Sequence, residues 1–366
     1  MNANRFETIV IGGGQQGLTA GYYLSRHGRP FVILDANERI GDAWRKRWDS
    51  LRLFTPTNFS RLPGMKLPES AGSYPTKDAM ADYLESYAQR FELPVRTGIE
   101  VDRLTKRDGR FVVSAGGEGF EAENVIVATG ANRLPVRPGF AAELDPRVVQ
   151  LHSVDYKNPA QIQAGDVLVV GAGNSGAEIA VELAAGHRVL LAGPDVGQIP
   201  VPYDSRRGRI GFRVFRFFGH RVVKVTNPVG RKAALKPQAP LVRTRTPDIE
   251  SAGVERVGRV TGIVDGRPVL EDGRVVDVEN VVWCTGFRTD FGWIDLPVFG
   301  EDGKPKHVRG VVESEPGLFF LGLVFQYAGS SDVLPGRGRD ARYIAKHIAA
   351  KSRAAAVEPE AVLTAA

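Results

Sequence analysis

One cysteine in 366 residues, Cys284, leaves no intramolecular disulfide, no redox dithiol and no cysteine-rich metal site to expect. The six histidines are scattered, with no HExxH and no HxxxH pair beside a carboxylate partner, so no protein-built zinc site is expected either. Long apolar runs are also missing. A spanning helix needs roughly 18 apolar residues, and the longest stretches here, 167–170 and the interrupted 278–284, read as buried strands. The strand-like run at 7–11 comes too early and is too short to follow the apolar core of a signal peptide, so cytoplasmic residence is the expectation. What is present, 43% hydrophobic and 25% charged residues, is the composition of an ordinary globular protein long enough for two to three domains.

Acidic residues are missing from one place in particular. Between Ser205 and Arg245 there are twelve Lys and Arg and no Asp or Glu, whereas in the rest of the chain the acids outnumber the bases by six. Such a window makes a local positive field suited to an anionic cofactor, substrate or polymer. Phe212, Phe215, Phe217 and Phe218 alternate there with Arg213, Arg216 and Arg221, which would suit base stacking. With no nucleic-acid motif beside it, a solvated face near a phosphate-bearing cofactor is the favoured reading, and nucleic acid is not expected as a partner. An amphipathic lid or membrane-surface helix is a minor alternative, since Gly208, Gly211 and Gly219 weaken helix formation.

One unit occurs twice. Residues 7–24 place a β-branched strand before Gly12-x-Gly14-x-x-Gly17 and then a helical pattern; residues 166–184 repeat this with Gly171-x-Gly173-x-x-Gly176. A lone GxGxxG is weak, but two in strand-to-helix context are strong. The first glycine permits a tight turn, the second lets a pyrophosphate approach the backbone, and the third lets helix and strand pack closely. The helix N-terminus then offers free N–H groups and positive dipole to the phosphates. Each copy continues into a second strand, 31–35 or 188–192. The first ends in Asp35, 23 residues after Gly12, where an acid accepts from a ribose hydroxyl pair. The second lacks that acid, which permits NADPH and does not exclude NADH. Each copy also has an apolar strand closing in Thr-Gly, at Thr129-Gly130 and Thr285-Gly286. The expected fold is therefore α/β, with two Rossmann-like dinucleotide-binding domains. Gly317–Gly322, a strand placed after the second unit, is expected to return to the first and make the second an insertion.

These residues resemble the two-dinucleotide-binding flavoproteins, and among them the flavin-containing monooxygenase-like oxidoreductases, over about residues 6–350. The resemblance implies FAD at Gly12, Gly14, Gln16 and Gly17, with Asp35, Thr129 and Gly130 beside it. It implies NADPH, with NADH as the alternative, at Gly171, Gly173, Asn174, Ser175, Gly176 and Gly286. Ile40–Trp44 resembles the family's Gly-Gly-x-Trp stretch, which places Trp44 beside FAD; Val101, in a strand after Arg96, corresponds to the valine that meets the adenine. The 48–56 segment, with Phe54, and the 321–326 segment, with Gln326, would line the flavin. The helix of Gly338 would point at the isoalloxazine, and the Pro/Gly-rich stretch 55–75 reads as an ordered loop over it, with a plain connector as the alternative. Departures are specific. Of FxGxxxHxxxY/F, His152 and Tyr156 fit, but Pro146 and Val148 replace the phenylalanine and glycine. Phe54 stands where some members carry an asparagine, and Pro194 where many carry the arginine that holds the 2′-phosphate; Arg206 and Arg207 are the substitutes to test.

Bounds of 1–160 and 289–350 are expected for the FAD-binding domain, 161–288 for the NAD(P)H-binding domain with its basic insertion 205–245, and 351–366 for a frayed tail. The activity implied is NAD(P)H-oxidising monooxygenation of a small nitrogen, sulfur or carbonyl substrate with O2, through a flavin C4a-hydroperoxide. An FAD reductase passing electrons onward without oxygenation is the first alternative, and a non-catalytic nucleotide-binding protein the second. His152 reads as structural more readily than catalytic, and Cys284 as an inert thiol.

Overall fold

The computed structural model describes residues 4–70, 72–130, 134–199, 210–211, 214, 217–235, 239–334 and 336–363. It contains two Rossmann-like domains. The first sheet is built on β1 (Arg5–Ile11), β2 (Phe31–Leu34) and β3 (Val95–Arg96), with an antiparallel meander of β4 (Arg103–Arg107), β5 (Arg110–Ala115) and β6 (Glu118–Val127). Strand order is β3-β2-β1-β6-β5-β4. The helix α1 (Gln15–Arg26) joins β1 to β2, and α2 (Asp42–Arg45), α3 (Thr57–Ser60) and α4 (Lys77–Arg90) lie between β2 and β3.

The chain then leaves through β7 (Leu134–Pro135) and builds a second, all-parallel sheet. It consists of β8 (Val149–His152), β9 (Val167–Val170), β10 (Val189–Ala192), β11 (Glu255–Val257) and, beyond the β12–β13 hairpin (Val260–Val264, Arg267–Leu270), β14 (Asn280–Trp283). Its order is β11-β10-β9-β14-β8, and α5 (Asn174–Leu183) joins β9 to β10. The chain returns through β15 (Phe287–Arg288), which pairs antiparallel with β7, so the two interdomain crossings run side by side. Finally β16 (Leu318–Phe320) lies parallel to the end of β6, completing the first sheet. The second domain is thus inserted into the first, as expected.

Why the strands read as continuous apolar runs follows from burial on both faces. In β1, Val10 faces one core and Ile9 and Ile11 another; in β9, Val167 and Val169 face the first of these cores, while Leu168 and Val170 face a third. The shared core also takes Leu18 and Leu24 of α1, Ile179 and Leu183 of α5, and Tyr83 and Tyr87 of α4, so both glycine-led helices stand on one apolar base.

Three expectations are corrected. β8, expected within the first domain, is an edge strand of the second sheet, in register with β14 from Val149↔Asn280 to His152↔Trp283. Val101 lies between β3 and β4 rather than in a strand, with its side chain in the core behind β2. The terminal helix runs from Arg337 to Leu363, so most of the expected tail is helical; its alanine run has the highest intrinsic helix propensity.

The third glycines carry the tightest contact. A Cβ on Gly17 would stand 1.8 Å from the carbonyl oxygen of Gly12, and one on Gly176 1.8 Å from that of Gly171. Gly17→Ala and Gly176→Ala are each expected to destabilise by about 3 kcal/mol or more, because the obstacle is backbone. Thermal unfolding checks this, and an unchanged midpoint in either variant would refute it.

Candidate functional site

At the end of β1 the chain turns through Gly12, whose φ of +108° favours glycine, and enters α1 at Gly14. Gly14 has extended backbone and caps α1 without any side-chain acceptor, and the N–H groups of residues 15–17 have no acceptor among the described residues. The second copy repeats this through Gly171, with φ +111°, and Gly173, whose helix α5 is likewise uncapped by a side chain. Unpaired helix-terminal N–H groups with their dipole make an anion site.

Space follows the same rule in both copies. A Cβ on Gly12 would meet the Ala128 carbonyl oxygen at 2.6 Å, and one on Gly171 that of Cys284 at 2.3 Å. A Cβ on Gly14 or Gly173 would meet nothing within 4 Å. Packing within the chain therefore requires glycine at the first and third positions and leaves the second open. Thr129 and Gly130 follow Ala128 at the rim of the first turn, and Gly286 stands at the matching place in the second; Gly130 and Gly286 both have positive φ and open surroundings.

The two copies differ at the second strand. Asp35, buried after β2, accepts from the N–H of Gly13 and from Asn37 N at 2.8 Å and Nδ2 at 2.9 Å. A Cβ on Gly13 would lie 2.9 Å from that of Asp35. In the second copy Gly193 takes the place of Asp35 and Ala172 that of Gly13, so the glycine of the touching pair has changed sides. Beside Gly193 reaches Arg256 of β11, whose Nη2 lies 3.3 Å from the Gly193 oxygen and 3.4 Å from that of Pro194. Sequence reasoning passed over Gly13, Gly193 and Arg256. The GGG-versus-GAG difference was the available signal for the pair, whereas Arg256 comes from a strand about sixty residues downstream in sequence and gives no local sign.

Other expected residues gather at the first copy or prove to be occupied. Gln16 is buried, with Nε2 donating to Ser331 O at 3.3 Å and Oε1 unpartnered. Gly322 packs on it, since a Cβ there would meet Gln16 Cγ at 2.8 Å. Gln326 is buried, with Oε1 accepting from Gly322 N at 2.9 Å and Leu323 N at 3.3 Å while Nε2 donates to Arg309 O at 3.3 Å. Its amide therefore holds the 309–326 turns and is not a free group lining a cleft. Trp44 donates to Gln15 Oε1 at 3.2 Å, and Phe54 is exposed. Gly338, in the first turn of the terminal helix, abuts Pro63. In the second copy Asn174 clamps the loop at 240–242, donating to Pro240 O at 3.0 Å and accepting from Val242 N at 2.9 Å, while Ser175 beside it is half-buried. Arg206 and Arg207 lie outside the described residues, as do Phe212, Arg213, Phe215 and Arg216.

The 55–75 loop closes on itself: Leu53 N donates to Pro75 O at 2.8 Å, and Thr57 N to Ser73 O at 3.0 Å. Near its far side, fully buried Asp340 accepts from Arg339 at 3.0 and 3.1 Å. Arg309 stacks between Tyr327 and Tyr343, its guanidinium 4.2 Å from each ring centroid. This is a cross-brace under the 326–338 loop.

His152 and Cys284 take structural positions. His152 is fully buried; Nδ1 accepts from Val154 N at 3.2 Å, so Nε2 carries the proton donated to Gly286 O at 3.1 Å. It ties β8 to the returning crossing. Burial pushes the Cys284 thiol up to about 12, which removes thiolate chemistry. Burial also holds the His152 imidazole below its ordinary 6.5. The unfolded chain then takes up this proton first as the pH falls, so the stabilisation is complete above 6.5 and is lost below it. His152→Gln is expected to flatten the acid side of a plot of unfolding midpoint against pH; an unchanged slope would show that this histidine does not contribute.

The pyridine nucleotide-disulphide oxidoreductase family matches residues 9–198, just over half the chain. An uncharacterized CzcO-like oxidoreductase of Geobacillus kaustophilus (strain HTA426) is 42% identical over 93% of this chain and 98% of its own length. A probable indole-3-pyruvate monooxygenase, YUCCA9 of Arabidopsis thaliana, is 28% identical over 81% of this chain and 79% of its own. The solved flavin-containing monooxygenase from Stenotrophomonas maltophilia superposes with a TM-score of 0.77 at 29% identity, covering 95% of this chain and 99% of that one. With its paired glycine turns and inserted second domain, the chain belongs to the pyridine nucleotide-disulphide oxidoreductase family, as an enzyme of the flavin-monooxygenase-like flavoproteins.

Proposed function

We propose that this enzyme is an FAD-dependent, NADPH-oxidising monooxygenase acting on a small nucleophilic nitrogen or sulfur, or on a carbonyl carbon. The observation that carries the reading is the pair of matching glycine turns, each with unpaired N–H groups and an open second glycine. That open space, which nothing in the chain demands, fits a pyrophosphate laid against the backbone. The unpartnered Gln16 Oε1 is a further acceptor suited to a ligand hydroxyl or N–H at the first turn.

Bound FAD supplies the redox chemistry, in which NADPH, O2, a proton and the substrate become NADP⁺, water and the oxygenated product. The chain binds and orients. Residues 14–17 would hold the FAD pyrophosphate, Asp35, Thr129, Gly130 and the backbone beside Val101 would meet its adenosine half, and Trp44, Phe54, the 321–326 turns held by Gln326 and the helix of Gly338 would shield its flavin half from water. Residues 173–176, with Gly286, would take the second pyrophosphate, beside the loop that Asn174 fixes. The names of the Stenotrophomonas and Arabidopsis relatives support oxygenation over plain electron transfer. A single, half-buried thiol speaks against disulfide reduction despite the family name.

Nicotinamide preference follows from charge. Gly193 in place of an acid removes the repulsion a 2′-phosphate would meet, and Arg256 offers a cation that Pro194 cannot, beside the candidates Arg206 and Arg207, which lie outside the described residues.

Two experiments test the reading. The purified protein is expected to be yellow and to incorporate label from ¹⁸O₂ into an amine, thioether or ketone, with product matching NADPH consumed. If all the NADPH is recovered as hydrogen peroxide across that panel, the reductase reading replaces this one. Calorimetric titration with 2′,5′-ADP is expected to show about tenfold weaker binding to Arg256→Ala, with binding of 5′-AMP unchanged. Equal loss for both ligands would remove Arg256 from the 2′-phosphate.

A further inference from the structure

Exposed apolar side chains concentrate in the stretch that carries no acid. Ile210, Val214, Phe217, Phe218, Val229 and Leu235 are each half or more exposed, and no other 26-residue stretch of the described chain shows so many. Ile210, Val214, Phe217 and Phe218 stand at i, i+4, i+7 and i+8, the spacing of one helix face, and each is helical, the last opening the π-helical turn Phe218–Val222. Arg221, Arg231 and Lys232 are exposed among them, within the window of twelve cations and no anion.

The segment is tethered firmly. Gln198 and Leu241 pair at its base, where Ile199 N donates to Leu241 O at 3.0 Å. Its middle pairs with the 327–329 loop, through Val225 N to Tyr327 O at 3.0 Å and Gly329 N to Val223 O at 3.0 Å. Asn227 caps the helix Pro228–Ala234 by accepting from Gly230 N at 2.8 Å. The apolar and basic groups therefore project from a fixed base.

We propose that the described residues between Ile210 and Leu235 form a membrane-surface contact that takes anionic phospholipid. Cations alone would suit any polyanion, but a soluble polyanion leaves two phenylalanines and four aliphatic side chains in water. An anionic bilayer surface satisfies both, with the apolar side chains entering the headgroup boundary and the cations meeting phosphate. A second copy of this chain docked through the same patch would set one acid-free basic window against another.

Co-sedimentation of the whole protein with vesicles tests this independently of the cofactor reading. Binding is expected to mixed phosphatidylcholine–phosphatidylglycerol vesicles at low salt, to fall at high salt, and to be absent with phosphatidylcholine alone. The pair Phe217→Ser and Phe218→Ser is expected to weaken binding about tenfold while leaving the unfolding midpoint unchanged. The pair Arg231→Glu and Lys232→Glu is expected to weaken it as well, which keeps the test valid if the first pair misfolds. Failure of the wild type to pellet with anionic vesicles at low salt overturns the proposal. So does full retention of binding by both variants, or light scattering showing a dimer that the serine pair dissociates.

Discussion

The fold turns on a backbone contact made twice: the Cα of the third glycine lying directly under the carbonyl of the first, where a single added carbon would stand 1.8 Å from oxygen. That contact sets the angle at which α1 leaves β1 and α5 leaves β9. Because the N-cap of each helix is itself a glycine, Gly14 or Gly173, the first N–H groups have no capping side chain. Open helix termini are a cost when nothing is bound. Binding a doubly charged group there relieves that cost, which ties stability to occupancy. The same contact explains the small residue beneath each turn. Ala128 N donates to Ile11 O at 2.8 Å, and Cys284 N to Val170 O at 2.7 Å, so the single cysteine occupies the second copy's alanine position. It is there for its size, behaving as a small apolar side chain.

Duplication fixes each turn, but the reaction needs the two turns to address one another, and that depends on the crossings. β7 and β15 form a two-stranded ribbon, reinforced by Val136 N donating to Gly286 O at 3.0 Å. His152 is hydrogen-bonded to that same Gly286 carbonyl, and its ring lies edge-on to Phe287 at 5.0 Å. Arg47, from the segment after Trp44, places its guanidinium 5.3 Å from the Phe287 ring centroid. The half of FxGxxxHxxxY/F that survives here is therefore the half that braces the junction. Tyr156, the other surviving position, donates to Glu182 of α5 at 2.7 Å and is fully buried. In this chain the histidine holds β8 to the returning crossing, and the tyrosine holds the segment after β8 to α5.

How much was legible in the sequence divides along the same line. Glycine spacing, strand runs and the Thr-Gly echoes are local, and they carried both turns, the inserted second domain and the return of β16. Not every pairing that closes over more than a hundred residues was legible. β8 joins β14 across that distance, and nothing in Val149–His152 says which sheet will take it. Side-chain occupancy was equally hidden. Gln326 and Asn174 both sit in segments that resemble cofactor-lining stretches, yet their amides are spent on the backbone of neighbouring loops. A primary amide offers two donors and an acceptor, and a loop without regular structure uses them first.

The exchange between Gly13–Asp35 and Ala172–Gly193 makes two turns of one architecture unlike. The residue after the first glycine and the residue after the second strand touch, so one of the pair must be small. Where the turn gives up its side chain, the strand end can carry a carboxylate, held by the N–H of Gly13 and by Asn37. Where the strand end gives up its side chain, the carboxylate is gone and the turn carries a methyl. The charge beside the second turn then comes from outside the pair, from Arg256 on the next strand. A negative group at one turn and a positive one beside the other make the two turns unlike in charge although they are alike in backbone. Under the proposed function, that difference favours the second turn over the first for a nucleotide with a 2′-phosphate.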